Sequence, residues 1–355
     1  MMQIELPISK SIANRLLILQ AIHGDGLMTV SCDMPDDVRI MSEAIRLLGE
    51  RREARIDLGN CGTAMRFLTA YCAQLEGQTV ILDGVERMHH RPIDQLVDAL
   101  REIGADIEYL GKEGFPPLRI KGCILDKHRI ITLDNPQSTQ FVSALLLIGA
   151  NVHTNSTSPY ITLTREIIER YLQRVRRANY SEQSERSTVS IANELEKDWS
   201  SSAFWYEYVA LYGGEITLPG LFRDSLQGDK VVADIFAHLG VSTQYTEEGI
   251  VIYSSPLHPT PYTLHQNFAS CPDLYPAVAL TCERLGIELH ATGTESLPIK
   301  ESDRLRAVRE HRTDHDHRMA MALLIAGYEV DDTACISKSY PQFIEQWNNV
   351  IRSHA

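Results

Sequence analysis

The chain has no C-x-x-C pair, no long apolar run and no excess of positive charge. Its seven cysteines (Cys32, Cys61, Cys72, Cys123, Cys271, Cys282 and Cys335) are odd in number and scattered. That excludes a disulfide framework and suits reduced thiols in a cytoplasmic protein. No apolar stretch reaches membrane-spanning length, and the N-terminus lacks a signal-peptide pattern. With 34 Lys and Arg against 47 Asp and Glu, the formal charge is −13. Binding a phosphate backbone needs a basic face, so nucleic acid is not an expected partner. A Walker loop, a G-x-G-x-x-G turn and a G-x-S-x-G elbow are also missing, which leaves nucleotide sites of those classes and Ser-His-Asp hydrolysis without support.

What is present is an alternation. At 355 residues, 44% hydrophobic and 23% charged, the chain is long enough for two well-filled domains. One kind of helical segment is apolar on most faces and begins with polar residues: 10–22, 62–75, 138–148, 200–211, 273–282 and 317–326. Such helices should be buried. A second kind is amphipathic, over 37–48, 93–103, 164–175, 230–239, 301–310 and 341–351, and several members stop at a glycine such as Gly49, Gly104 or Gly240. Short β-rich runs at 79–82, 118–120, 130–133, 215–218, 241–245, 250–253 and 288–291 lie between them. Six pairs with interleaved strands read as an internal repeat, three units in each of two similar α/β domains, with helices packed inside. The rhythm breaks after Glu310, where only H-R-T-D-H-D precedes the next buried helix. Deleting strands would expose sheet edges, so residues absent from the chain are the favoured explanation.

Unusual polar residues gather where the buried helices start. L-P-I-S-K-S-I-A-N-R (6–15) brings Lys10 and Arg15 to a helix N-terminus, whose unpaired N–H groups and dipole already favour anions. G-N-C-G-T-A-M-R (59–66) holds Gly62, which permits close approach to the backbone, and Arg66. Q-S-T-Q (137–140) offers two hydroxyls and two amides where one cap would suffice. E-R-M-H-H-R-P (86–92) sets Arg87 and Arg91 around a turn, and Arg suits bidentate grip of carboxylate or phosphate. In L-P-I-K-E-S-D-R-L (297–305), Lys300, Glu301 and Arg304 are expected within one helical turn, with Lys300 and Arg304 on one face. Asp273 in C-P-D-L-Y-P reads by default as an N-cap. Asp314, His315 and His317 invite a zinc reading, but imidazoles two apart at a helix start point away from each other.

Taken in order, these segments resemble the 5-enolpyruvylshikimate-3-phosphate (EPSP) synthases, a family of enolpyruvyl transferases. The motifs are S-K-S-I-A-N-R, D-D-V-R, G-N-C-G-T-A-M-R, E-R-M-H-H-R-P-I-D-Q-L-V-D-A-L, S-T-Q-F-V-S-A-L-L, S-P-Y-I-T-L-T, S-S-S-A-F-W, Q-G-D-K, P-D-L-Y-P-A, I-K-E-S-D-R-L, D-H-R-M-A-M and K-S-Y-P-Q-F. The resemblance implies an inside-out α/β fold of two lobes, each of three βαβαββ-type units, closing on substrate. One lobe would comprise 1–9 with 198–355 and the other 10–197, with the active site in the cleft between them.

The resemblance also implies transfer of the enolpyruvyl group of phosphoenolpyruvate to the 5-hydroxyl of shikimate 3-phosphate. Lys10, Ser11, Arg15, Ser138, Thr139, Gln140, Thr157, Asp273, Ser296 and Lys300 would bind shikimate 3-phosphate. Lys10, Gly62, Arg87, Gln140, Arg304, Arg318 and Lys338 would bind phosphoenolpyruvate. Asp273 would be the base at the hydroxyl with Lys300 beside it, Glu301 the proton donor, and Lys10 would face both substrates. No cofactor or metal is implied, and a cytoplasmic monomer is expected. Replacing Asp273 by Ala should then abolish turnover with little change in melting. Two rival readings are the enolpyruvyl transferase acting on a UDP-amino sugar, whose K-N-A start and loop cysteine have no match here, and a non-catalytic anion-binding relative.

Overall fold

A computed structural model describes residues 2–180, 195–255 and 263–354. The chain forms two compact units. The first comprises Met1–Lys10, Asp33–Asp36 and Glu196–Ala355, and the second Ser11–Cys32 and Asp37–Leu195. Relative to the halves expected from sequence, Lys10, Asp33–Asp36, Glu196 and Lys197 fall in the other unit.

After a two-residue strand β1 (Met2–Gln3), the chain enters the helix pair α1 (Lys10–His23) and α2 (Asp36–Glu50). A complete β-α-β-α-β-β module follows: β2 (Glu53–Asp57), α3 (Gly62–Ala73), β3 (Thr79–Asp83), α4 (Asp94–Glu102), β4 (Asp106–Tyr109) and β5 (Leu118–Lys121). Its sheet runs β2-β3-β5-β4, with β2 and β3 parallel and the remaining pairs antiparallel. Next comes a shorter module, β6 (Ile130–Thr132), α5 (Thr139–Leu147), β7 (Asn151–His153) and α6 (Pro159–Tyr180), whose sheet is the parallel pair β6-β7.

The other unit repeats this in a different order. Helix α7 (Trp199–Tyr212), β8 (Glu215–Pro219), α8 (Val232–Ala237), β9 (Val241–Tyr245) and β10 (Gly249–Ser254) join β1 in a four-stranded sheet, β1-β8-β10-β9. The shorter module is β11 (Thr263–Asn267), α9 (Tyr275–Leu285), β12 (Glu288–Thr292) and α10 (Arg304–Glu310), with β11 and β12 parallel. The pair α11 (His317–Ile325) and α12 (Phe343–His354) completes it. Each unit therefore holds one complete module, one lacking its hairpin, and one helix pair without strands among the described residues.

The core lies between helices. In the first unit α7, α9 and α11 pack on one another, and Trp199, Phe204, Trp205, Phe236 and Phe343 are wholly buried around them. Each such side chain contributes roughly 2–3 kcal/mol by leaving water. In the second unit α3 packs on α5, and the buried Arg15 of α1 lies over the Phe67 ring of α3 at 5.4 Å.

The link after α10 is continuous. His311, Asp314 and His315 take left-handed backbone angles (φ 51°, 46° and 59°), and His311 ends α10 as a C-cap. Its N–H donates to the Val308 carbonyl and that of Arg312 to the Ala307 carbonyl, the bonding of a Schellman motif.

Candidate active site

The first unit gathers seven of the expected residues. Asp273 lies in a 3-10 turn, Pro272–Leu274, which runs into α9; it makes no capping bond there. Its Oδ1 accepts from Arg304 at 2.8 Å and Lys300 at 3.4 Å, and its Oδ2 from Arg318 at 2.9 Å. Burial would raise the Asp273 carboxyl, but the facing charges of Arg318, Lys300 and Arg304 outweigh it and hold the group well below the usual carboxylate range. Glu301 accepts from Arg304 at 3.1 Å and Lys338 at 3.0 Å. Lys10 helps to lower the His317 pKa, so its charge acts beside the six sequence-predicted residues that these bonds join.

Helix α10 begins at Arg304, so the expected helical turn is absent. Lys300 is extended (φ −74°, ψ −160°) after the 3-10 turn Leu297–Ile299, and it meets Arg304 across Asp273 instead of along a helix face.

Asp316 is the centre that sequence reading missed. Fully buried, it accepts from Arg304 Nε at 2.8 Å, from Ser302 Oγ at 3.1 Å, and from the Arg318 backbone N–H at 2.9 Å, which caps α11. Arg318 is buried too, and its Nε and Nη1 have no hydrogen-bond partner among the described residues. His317 is buried with both ring nitrogens unbonded, and burial, reinforced by Lys10, Arg318 and Lys338, holds it well below its ordinary pKa. Its imidazole is therefore neutral at pH 7. Asp229, bonded by Ser200, is pushed up to about 6 by burial and by the Asp273 charge. His315 points outward to Asp332 at 2.6 Å, so it and His317 do not share a site.

The second unit gathers a smaller group. Cys61, not Gly62 or Thr63, caps α3, its sulfur accepting from the Ala64 N–H. A Cβ on Gly62 would lie 2.4 Å from Arg91 Nη1 and 2.5 Å from Arg66 Nη1. Two guanidinium groups therefore crowd this glycine. Arg91 is buried, with Nε and Nη1 unbonded, whereas Arg87 is half-buried elsewhere on the turn. The cations against Gly62 are Arg91 and Arg66, and the Arg87 expected from sequence is not among its nearest neighbours. Gln140 Nε2 donates to Thr63 Oγ1 at 2.9 Å, joining the starts of α5 and α3. Ser138 caps α5, and Thr139 is its first residue.

Arg15 departs from expectation. Its nitrogens already donate to Thr164 Oγ1, Ser143 Oγ and the Ser11 and Tyr160 carbonyls. With no carboxylate opposite among the described residues, burial lowers it to about 10. Its bonds tie α1 to α5 and α6. Thr157 is exposed and Ser296 half-buried.

The profile of the EPSP synthase (3-phosphoshikimate 1-carboxyvinyltransferase) family matches residues 2–311 and 309–347. The chain belongs to the EPSP synthase family. That family match divides at the short link after α10. A 3-phosphoshikimate 1-carboxyvinyltransferase of Bacteroides fragilis is 37% identical over 401 aligned residues, covering 98% of this chain and 94% of the relative. Another, from Colwellia psychrerythraea, is 30% identical, covering 97% and 95%. An alignment of 401 positions holding 98% of a 355-residue chain means that the B. fragilis relative has internal residues that this EPSP synthase family member lacks. A solved EPSP synthase from Acinetobacter baumannii has the same mixed α/β fold, with a TM-score of 0.66 at 20% identity, covering 98% of this chain and 95% of that one.

Proposed function

We propose that this chain transfers the enolpyruvyl group of phosphoenolpyruvate to the 5-hydroxyl of shikimate 3-phosphate, releasing phosphate. The observation that carries the reading is Arg318: a buried guanidinium with two nitrogens unbonded, among Lys10, Lys300, Arg304 and Lys338. A buried donor without an acceptor is costly, and an incoming phosphate or carboxylate satisfies it. Two anionic substrates demand such a set of cations, since their mutual repulsion must be cancelled.

In the reaction the 5-hydroxyl oxygen attacks C2 of phosphoenolpyruvate, and Asp273 takes its proton. Glu301 delivers a proton to the adjacent methylene carbon to give a tetrahedral carbon at C2. Phosphate then leaves C2 while Glu301 takes a proton back from the new methyl group, which restores the double bond of the enolpyruvyl product. Asp273 and Glu301 hold these cations in place through the bonds described above. Once phosphate and carboxylate groups draw Arg304, Arg318 and Lys300 away, the proton affinity of Asp273 rises toward that of a working base. Arg91 replaces Arg87 in the phosphoenolpyruvate-binding set, with Gly62 and Gln140. Ser11, Ser138, Thr139, Thr157 and Ser296 remain assigned to shikimate 3-phosphate, while Arg15 supports their helices. We read the fold as a shortened form of the family's six-module, inside-out arrangement, in a cytoplasmic monomer.

Mixing the protein with shikimate 3-phosphate and phosphoenolpyruvate should release inorganic phosphate. Folded protein that releases none above background with both substrates present overturns the reading.

A further inference from the structure

We propose that Glu283, His311 and Tyr328 form a clamp that positions the start of α11, and with it the Asp316–Arg318 segment, for the anionic substrate; this rests on the function proposed above. The link that replaces part of a module has to bring the end of α10 directly to Asp316. Three left-handed residues in five positions, none of them glycine, make an intrinsically unfavourable path, so neighbouring contacts must hold it.

Those contacts form two sets. The His311 ring stacks on Tyr328, centroids 4.0 Å apart and planes 19° from parallel. His311 Nε2 donates to Glu283 Oε1 at 2.8 Å, and the Tyr328 hydroxyl donates to the same oxygen. Glu283 belongs to α9, His311 ends α10, and Tyr328 follows α11 directly, its N–H donating to the Leu323 carbonyl. One carboxylate oxygen thus ties three helices together at their ends. The second set lies at the other side of the link, where Thr313 donates to Asp331 and His315 to Asp332. His315 is 85% exposed, and a pair so open to water contributes little, whereas Thr313 is buried. The Glu283 set adds to this a stacked ring pair and a tie between three helix ends.

What the clamp fixes is Asp316. From it run the bonds to Arg304 Nε and to the Arg318 N–H, and Arg318 in turn meets Asp273. A displacement of this residue moves the buried guanidinium and loosens the Asp273 cluster.

The test uses His311→Gly, Glu283→Ala and Glu283→Gln in the full chain. Glycine suits the left-handed C-cap better than histidine, so His311→Gly relieves backbone strain while removing the clamp. Amide exchange in ligand-free protein should quicken by about tenfold at Arg318–Met321 in His311→Gly and Glu283→Ala, and much less in Glu283→Gln, which keeps an acceptor. The KM for phosphoenolpyruvate should rise by about tenfold, and that for shikimate 3-phosphate by less, since Asp273 and Lys300 are displaced only through Arg318 and Arg304. Exchange at these amides unchanged in both clamp-breaking variants overturns the clamp, as does a rise in both KM values together with a large fall in melting. The exchange measurement needs no turnover. Wild-type protein that releases no phosphate therefore counts against the proposed function and leaves the clamp to be judged on exchange alone.

Discussion

Asp273→Asn keeps the shape of the central carboxylate and removes its charge. The native oxygens hold Arg304 at 2.8 Å, Arg318 at 2.9 Å and Lys300 at 3.4 Å. Asparagine retains one acceptor and turns an amide donor toward the others. Removing one partner of a buried ion pair costs roughly 3–5 kcal/mol, and with one acceptor kept we expect about 2 kcal/mol. For a unit of this size that lowers the melting midpoint by roughly 4–8 °C. The expectation from sequence, that loss of Asp273 leaves melting nearly unchanged, took no account of three cations on one carboxylate. The pH dependence has a definite sign. A carboxyl whose folded pKa is depressed stabilises the protein above its unfolded pKa and loses that contribution as pH falls through the folded value. Wild type and variant should therefore converge in strong acid. Turnover should fall by about 10³-fold, the scale of a lost general base. Inorganic phosphate should raise the melting point of the variant more than that of wild type, because the ion supplies the missing charge. Differential scanning calorimetry with and without phosphate, beside a phosphate-release assay, decides it. An unchanged midpoint at pH 7, or turnover within about tenfold of wild type, refutes the reasoning.

Gly62→Ala places a methyl group within 2.6 Å of the Arg91 and Arg66 guanidiniums, which must then move; the KM for phosphoenolpyruvate should rise by about tenfold or more with melting little changed. Glu207 is fully buried on α7 with both carboxyl oxygens unbonded among the described residues, and burial pushes its pKa well above the ordinary value. Glu207→Leu should stabilise by about 2 kcal/mol near neutral pH, since an unsatisfied polar group leaves the core. Because the unfolded carboxyl ionises first, wild-type stability falls as pH rises above the ordinary value. The gain from Glu207→Leu should therefore be smaller at pH 4 than at pH 8, as chemical denaturation at the two pH values will show.

The buried helices were legible because apolar residues cover every face, as in A-F-W-Y of α7 or M-A-M-A-L-L-I of α11. Strands with one wet face were harder. E-A-R-I-D of β2 buries only Ile56 fully, and D-I-E-Y of β4 only Ile107; with charges at alternate positions, neither shows an apolar run. T-L-H-Q-N of β11 hides in the same way behind Leu264. At the site, cations ahead of apolar helices pointed to Lys300, Arg304 and Arg318, because charge beside an apolar run is conspicuous. Arg91 was passed over since nothing in E-R-M-H-H-R-P says which arginine turns inward, and Gly62 lies 29 positions earlier. Asp316 gave no signal either: an Asp before a helix reads as a cap, which it is, and its second bond reaches a guanidinium on another helix. The brief link is closed by imidazole stacking and a Schellman turn, neither of which H-R-T-D-H-D announces.

The placement of the abbreviated modules has a consequence for how short such a protein can become. Among the described residues the shorter module of each unit lacks hairpin strands, while helices α3, α5, α7, α9 and α11 are seated in aromatic and aliphatic surroundings. Miniaturisation by trimming outer hairpins thus spares the chemistry, whereas shaving a single turn from an inner helix would carry off a guanidinium or a carboxylate with it.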